Sequence, residues 1–139
     1  MPNPPPLVHV VDDDPSVVQA LQRLLPSWGM QVRTFASGEE FLSAATASGN
    51  VDCVLLDVQM PGMTGFDVQE RMRRAGWDVP IVFITGHETE GVEERALQAG
   101  ALGFLRKPFR EEVLVALIRE GARRRRKGGA GEGAPSDGS

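Results

Sequence analysis

The chain has one cysteine, two histidines and no tyrosine, and no apolar run approaches the ~20 residues of a membrane span. A single cysteine excludes an internal disulfide. Cys53 lies inside an apolar run and reads as a small buried hydrophobe, and a reducing cytoplasm is the expected setting. The opening Met1-Pro2-Asn3-Pro4-Pro5-Pro6 lacks the basic and long apolar regions of a signal peptide. Residues 1–6 read instead as a short, stiff polyproline lead-in. Charge is unevenly spread: residues 123–139 carry +3, within a chain whose net charge is −4, so the remaining 122 residues carry −7. An acidic body argues against direct nucleic-acid binding and suits a divalent cation.

The 139 residues, 41% hydrophobic and 24% charged, are enough for one domain with a real core. Apolar runs predict strands at Leu7–Val11, Val51–Asp57, Ile81–Ile84 and about Leu102–Arg106, and a second, shorter strand is read at Gln31–Phe35. Helices are expected between and after them. Asp14-Pro15 reads as N-cap and first helical residue, with Val17, Leu21 and Leu24 on one face until Pro26, Ser27 and Gly29 end the helix. Ser37-Gly38-Glu39-Glu40 has the form of a capping box, followed by the buried face Phe41, Leu42 and Ala45 and a turn at Ser48-Gly49-Asn50. Thr64-Gly65 precede a helix to about Arg74, with Phe66, Val68 and Met72 inward. A polar helix is expected from about Thr89 to Ala99, its modest apolar side formed by Val92, Ala96 and Leu97. The last, about Glu111 to Arg126, has the stripe Val113, Leu114, Leu117 and Ile118, and is closed by the basic run Arg123–Lys127. Gly128–Ser139 is rich in Gly, Ala, Ser and Pro and is expected to be a disordered tail, leaving 7–127 as the folded domain.

Five alternations of strand and helix with short connections imply an α/β domain: a doubly wound, five-stranded parallel sheet with helices on both faces. In such a sheet all strand ends meet one edge, where ligand sites lie. Strand one ends in Asp12-Asp13, strand three in Asp57, strand four in Thr85 and strand five in Lys107. Asp12 and Asp13 have no capping role left, because Asp14-Pro15 fills it. Three crowded carboxylates repel, and a divalent cation relieves them. Oxygen donors without His or Cys nearby suit Mg²⁺ rather than zinc. A hydroxyl and an ammonium opposite them suit a tetrahedral oxyanion. The set describes phosphate chemistry at a carboxylate, with a nucleophilic Asp, a Thr donor and a Lys counter-charge.

Val11-Asp12-Asp13, Asp57-x-x-Met60-Pro61-x-x-x-Gly65, Thr85-Gly86 and Phe104-x-x-Lys107-Pro108-Phe109 resemble, in order and spacing, the receiver domain of two-component response regulators over about residues 7–122. The resemblance implies a flavodoxin-like strand order of 2-1-3-4-5. It implies that Asp57 accepts a phosphoryl group from a sensor histidine kinase or phosphotransfer protein. Asp13, Asp57 and the backbone carbonyl of Gln59 would bind Mg²⁺ directly, and Asp12 mainly through water. Thr85 and Lys107 would contact the phosphoryl oxygens, Phe104 would turn inward as a switch, and the Lys107–Pro108 bond would be cis. The signal would leave through the face built from the fourth helix, fifth strand and fifth helix, with a phosphorylation-dependent homodimer as one form. Such a domain is a switch and not a turnover enzyme. Two positions bear on tuning: the Gln59 side chain, which the metal does not fix, and His87, which either borders the pocket or is a solvated loop histidine. His9, Trp28 and Trp77 read as structural or surface residues.

Gly86-His87 with Lys107-Pro108-Phe109 is similar to receivers of the nitrogen-fixation regulator type, often joined to a helix-turn-helix. A stand-alone receiver and a receiver cut from a transcription factor therefore both stay open, and nothing after Lys127 is expected to fold. A phosphatase of the haloacid-dehalogenase kind would want a second Asp at position 59, where Gln cannot serve as general acid. A flavin-binding flavodoxin would need a phosphate cradle after strand one, where three acids repel phosphate.

Overall fold

The computed structural model describes residues 4–45, 50–86 and 90–130. Strands β1 (Leu7–Val11), β2 (Gln31–Phe35), β3 (Cys53–Asp57), β4 (Ile81–Thr85) and β5 (Gly103–Arg106) alternate with helices α1 (Pro15–Ser27), α2 (Gly38–Ala45), α3 (Gly65–Arg74), α4 (Val92–Gln98) and α5 (Glu111–Ala130). All pairings are parallel, in the order β2-β1-β3-β4-β5. Every residue of β3 and β4 is buried, as expected of strands covered on both faces.

Alternation along the strands divides the core. Val8, Val10, Cys53, Leu55, Val82 and Ile84 meet Leu21 and Leu25 of α1 and Leu114, Val115 and Ile118 of α5. Val11, Val54, Leu56, Ile81 and Phe83 meet Phe41 of α2, Phe66, Val68 and Met72 of α3 and Ala96 of α4. Asp14 caps α1 by accepting from the Ser16 amide at 3.0 Å, with Pro15 as the first helical residue. Thr64 and Asp67 form a full capping box at the start of α3. At α2, Ser37 Oγ accepts from the Glu40 amide, but the Glu40 carboxylate reaches past the cap to the Ala36 amide.

Several helical faces differ from those the periodicity predicted. In α1 the fully buried pair is Leu21 and Leu25, with Val17 and Leu24 only half-buried, and Pro26 and Ser27 still belong to the last turn. In α5 the sheet-facing residues are Leu114, Val115, Ile118 and Ala122, and Val113 is 43% exposed. The buried face is shifted by about one residue from the expected stripe, toward the side that packs on the sheet and on Leu21 and Leu25 of α1. α4 is shorter than expected: Gly91, with φ of +85°, precedes it, only Ala96 is buried, and Leu97 is half-exposed. The Ala45 side chain, Thr89, and the turn at Ser48-Gly49 lie outside the described residues.

α5 continues through Gly128–Ala130, into the stretch expected to be tail; residues 131–139 lie outside the described ones. Only Lys127 of the basic run falls in the last turn, so the run does not chiefly complement the helix dipole. Arg123 and Arg124 pair with Glu120 three and four residues back, a spacing that supports a helix. Arg125 and Arg126 reach Asp52, a buried carboxylate just before β3. Arg126 grips it with Nε at 3.2 Å and Nη2 at 3.0 Å, while its Nη1 donates to the Pro4 carbonyl. Asp52 also accepts from the Leu7 amide at 2.9 Å. One carboxylate thus joins the lead-in, the start of the central strand and the end of α5. At the other end of α5, Trp28 Nε1 donates to Glu111 at 2.8 Å and the Arg119 guanidinium lies over the indole ring.

His9 of β1 is a core residue. Its ring stands edge-on to Phe35 and Phe41, and both nitrogens are buried with no hydrogen-bond partner. Burial, helped by the Arg33 charge, pushes its pKa down to about 4. The unfolded chain therefore takes up this proton first, and stability contributed by neutral His9 is lost as pH falls from 6.5 to about 4. Urea titrations of the parent and His9→Leu should diverge across that window, with the parent losing on the order of 3 kcal/mol more than the variant by pH 4. Parallel pH profiles would contradict the buried neutral ring.

Candidate functional site

The carboxyl ends of β1, β3, β4 and β5 meet at one edge, and the predicted residues meet with them. Asp12, Asp13 and Asp57 each offer a carboxylate oxygen, all within 4.8 Å of one another. Asp12 and Asp57 are buried and Asp13 is exposed. Asp12 is held on two sides: its Oδ1 accepts from the Asp14 amide at 2.9 Å, and its Oδ2 receives the Lys107 ammonium at 3.1 Å. Lys107 reaches there because β5 ends beside β4, where its amide donates to the Thr85 carbonyl at 2.8 Å. The Lys107–Pro108 peptide bond is cis.

Asp57 is fixed from the backbone. The Val58 amide donates to the Ile84 carbonyl and the Gly65 amide to the Val58 carbonyl, both at 2.9 Å. The start of α3 therefore lies directly against the phosphoacceptor candidate. A Cβ on Gly65 would come 2.4 Å from the Asp57 carbonyl oxygen, so the motif glycine is there because nothing larger fits. The Gln59 amide approaches Asp57 Oδ1 at 3.4 Å, and its side chain is exposed. Thr85 is buried at the end of β4. Phe104, half-buried, sits beside Phe83 across the β4–β5 ladder on the α3–α4 face. His87 lies outside the described residues.

Electrostatics follow from this crowding. Desolvation first, then the Asp12 charge, raise the Asp57 carboxyl to about 7, with Lys107 opposing. A buried carboxylate beside another, only partly offset by one ammonium, favours a cation or a proton. The donor set is all oxygen, as a hard divalent ion requires. Sequence patterning found the acids, the hydroxyl and the ammonium. It did not find the steric role of Gly65, whose signal is a clash visible only once α3 is placed, nor Asp52, whose arginine partners lie 73 and 74 residues away.

A flavodoxin-like α/β domain with an acidic pocket at the strand ends is the class this geometry defines. The response regulator receiver domain profile matches residues 8–119, and the chain belongs to that family. It is 42% identical over 113 residues to response regulator protein TodT of Pseudomonas putida, covering 81% of this chain and 49% of that one. It is 34% identical over 130 residues to transcriptional regulatory protein FixJ of Azorhizobium caulinodans, covering 94% of this chain and 61% of that one. A response regulator receiver protein from Burkholderia phymatum superposes with a TM-score of 0.74 at 48% identity, over 84% of this chain and 94% of its own. The chain thus spans about half the length of TodT. The phosphatase and flavodoxin readings give way to this match.

Because the folded Asp57 pKa is raised, protonation favours the fold, and that stability is lost as pH rises through about 7. Without divalent cations, Asp57→Asn should be more stable than the parent at pH 8, and the gap should narrow as pH falls toward 5. Each unit of pKa shift is worth about 1.4 kcal/mol, so an effect of at least that order is expected in chemical unfolding. A variant no more stable at pH 8 would contradict the crowded pocket.

Proposed function

We propose that Asp57 is the phosphoacceptor of this receiver domain, taking its phosphoryl group from the phosphohistidine of a sensor histidine kinase or phosphotransfer protein. The observation that carries this reading is the convergence of Asp12, Asp13 and Asp57 within 4.8 Å, with the Lys107 ammonium on Asp12. The reactive group is the Asp57 carboxylate, held at the strand end by the backbone bonds around Val58 and Gly65. Its oxygen attacks phosphorus as the bond to the donor imidazole breaks, giving an acyl phosphate. Thr85 and Lys107 meet the charge brought in by the phosphoryl oxygens. Lys107 leaves Asp12 only in part, since its ammonium carries three donors.

The acids fit Mg²⁺. They supply oxygen donors only, two of them desolvated, and the raised Asp57 pKa marks an unmet demand for positive charge. Asp13, Asp57 and the Gln59 carbonyl would hold the ion directly, and Asp12 mainly through water. When bound, the ion supplies charge neutralisation at the transferring group. The domain acts once per phosphoryl group and does not turn over substrate. Phe104 and the α4-β5-α5 face carry the response, to a partner protein, to a second copy of the chain or to an output domain. Gln59 and His87 are the positions proposed to tune phosphate loss. Residues 7–127 form the receiver unit, working in the cytoplasm without membrane contact and without direct binding of nucleic acid. The half-length coverage of TodT favours a receiver that serves a longer regulator, and the resemblance to the nitrogen-fixation type implies a helix-turn-helix as its output.

Incubation with Mg²⁺ and a small acyl-phosphate donor should add one phosphoryl group by intact mass, and Asp57→Asn should take up none. Millimolar Mg²⁺ should raise the thermal midpoint, and less so in Asp13→Asn. Modification mapped to another residue, or a midpoint indifferent to Mg²⁺, would remove the basis of the proposal.

A further inference from the structure

α4 is held to the domain differently from the other helices. It has seven residues, buries only Ala96, and leaves Leu97 half-exposed. By area alone that is a weak attachment, since one buried alanine and the half-buried Val92 withdraw little apolar surface from water. Polar and aromatic contacts add to it. Glu93 accepts from the Arg106 guanidinium at 2.6 Å. The Arg95 guanidinium lies 4.1 Å from the centroid of the Phe66 ring. Gln69 of α3 donates from Nε2 to the Ala99 carbonyl at 3.0 Å, fixing the end of α4.

The first two contacts converge on one row of rings. Phe66 packs on Phe83 with centroids 4.8 Å apart, Phe83 pairs in register with Phe104, and the Arg106 guanidinium lies 5.3 Å from the Phe104 centroid. Phe104 and Arg106 are two apart on β5 and so face the same side. Arg106 therefore touches both the Phe104 ring and, through Glu93, the first turn of α4. It also sits one residue before Lys107, opposite Thr85 in the ladder.

We propose that the Glu93–Arg106 pair is a latch that holds α4 and Phe104 together in the resting arrangement, and that Arg106 is a positioning residue through which its strength sets how readily the domain is phosphorylated. The functional half of this proposal rests on the Asp57 reading above. If Phe104 turns inward, Arg106 loses its ring contact and its hold on Glu93 is strained. Any free energy that favours the resting arrangement reduces the fraction of molecules competent for the switched one, and the apparent affinity for whatever selects that state falls by the same fraction. Both partners are about half exposed. Such pairs are weak, so the latch biases the switch by a small factor and does not block it.

The test uses the full chain and three variants: Glu93→Gln, Arg106→Ala and the charge reversal Glu93→Arg/Arg106→Glu. In the unphosphorylated protein, amide hydrogen exchange over residues 92–98 should quicken about threefold in each single variant and return toward the parent in the reversal. The initial rate of phosphorylation by a limiting acyl-phosphate donor with Mg²⁺ should rise by a similar factor, about threefold, and likewise return. Exchange protection at β3 amides should stay unchanged, which separates a latch from general loosening. Unchanged exchange over 92–98, or a reversal that behaves as the sum of the single variants, would overturn the latch. Faster exchange with an unchanged phosphorylation rate would overturn its link to the switch. If the parent itself takes up no phosphoryl group, the Asp57 reading fails, and the exchange measurements still decide the latch.

Discussion

Two buried carboxylates, Asp12 and Asp57, face each other where two neighbouring strands end, and the rest of the structure accommodates that conflict. Apart from His9 the two strands are apolar up to these acids, so the sheet carries them to its edge and there leaves them largely out of water. Lys107 answers one of them across the width of two strands. The raised Asp57 pKa is the measure of what stays unanswered. A pocket that discourages its own ionisation is primed for whatever brings positive charge to it. The same desolvation that makes the site costly makes its electrostatics strong once a cation is present.

The helices divide their labour around this edge. α3 presses its first residue against the Asp57 backbone, so the nucleophile candidate has little freedom to drift. α5 is secured along its length, through Trp28 at one end and Asp52 at the other, with Leu114, Val115 and Ile118 against the sheet between. α4 is the exception, attached through Ala96, the half-buried Val92 and the contacts of Glu93 and Arg95. A domain with one loosely held helix beside its acidic edge has a natural place for a rearrangement, because local opening is least costly where the fewest apolar contacts are given up.

The sequence made the central strands plain because burial on both faces leaves a nearly continuous apolar run, while β2 at the sheet edge shows only an alternation of exposed and half-buried residues before Phe35. The acids, Thr85 and Lys107 were legible because parallel strands must end on one side. Helical faces were less so. Val113 and Val115 are chemically equivalent, and only the placement of α5 on the sheet decides which is buried. α5 outran its expected end because Gly128 and Gly129 read as tail. Asp52 interrupts an apolar run and carries no local mark of its role, because its partners are distant in sequence. Arg106 and Glu93, thirteen residues apart, carried no pattern that marked them as a pair. Long-range polar pairing has no period, and period is what a single sequence displays.

β3 carries an acid at each end, and the second of these has its own consequence. Asp57 faces the pocket, while Asp52, immediately before the strand, is tied to Arg125 and Arg126 on the last turns of α5. The direction in which the polypeptide leaves the domain is therefore set by the central strand and not by the helix alone. Anything attached beyond α5 would be aimed like the shaft of a tool whose grip is the sheet itself. A swap of that attachment would keep its bearing only if the two arginines and their carboxylate travelled with it.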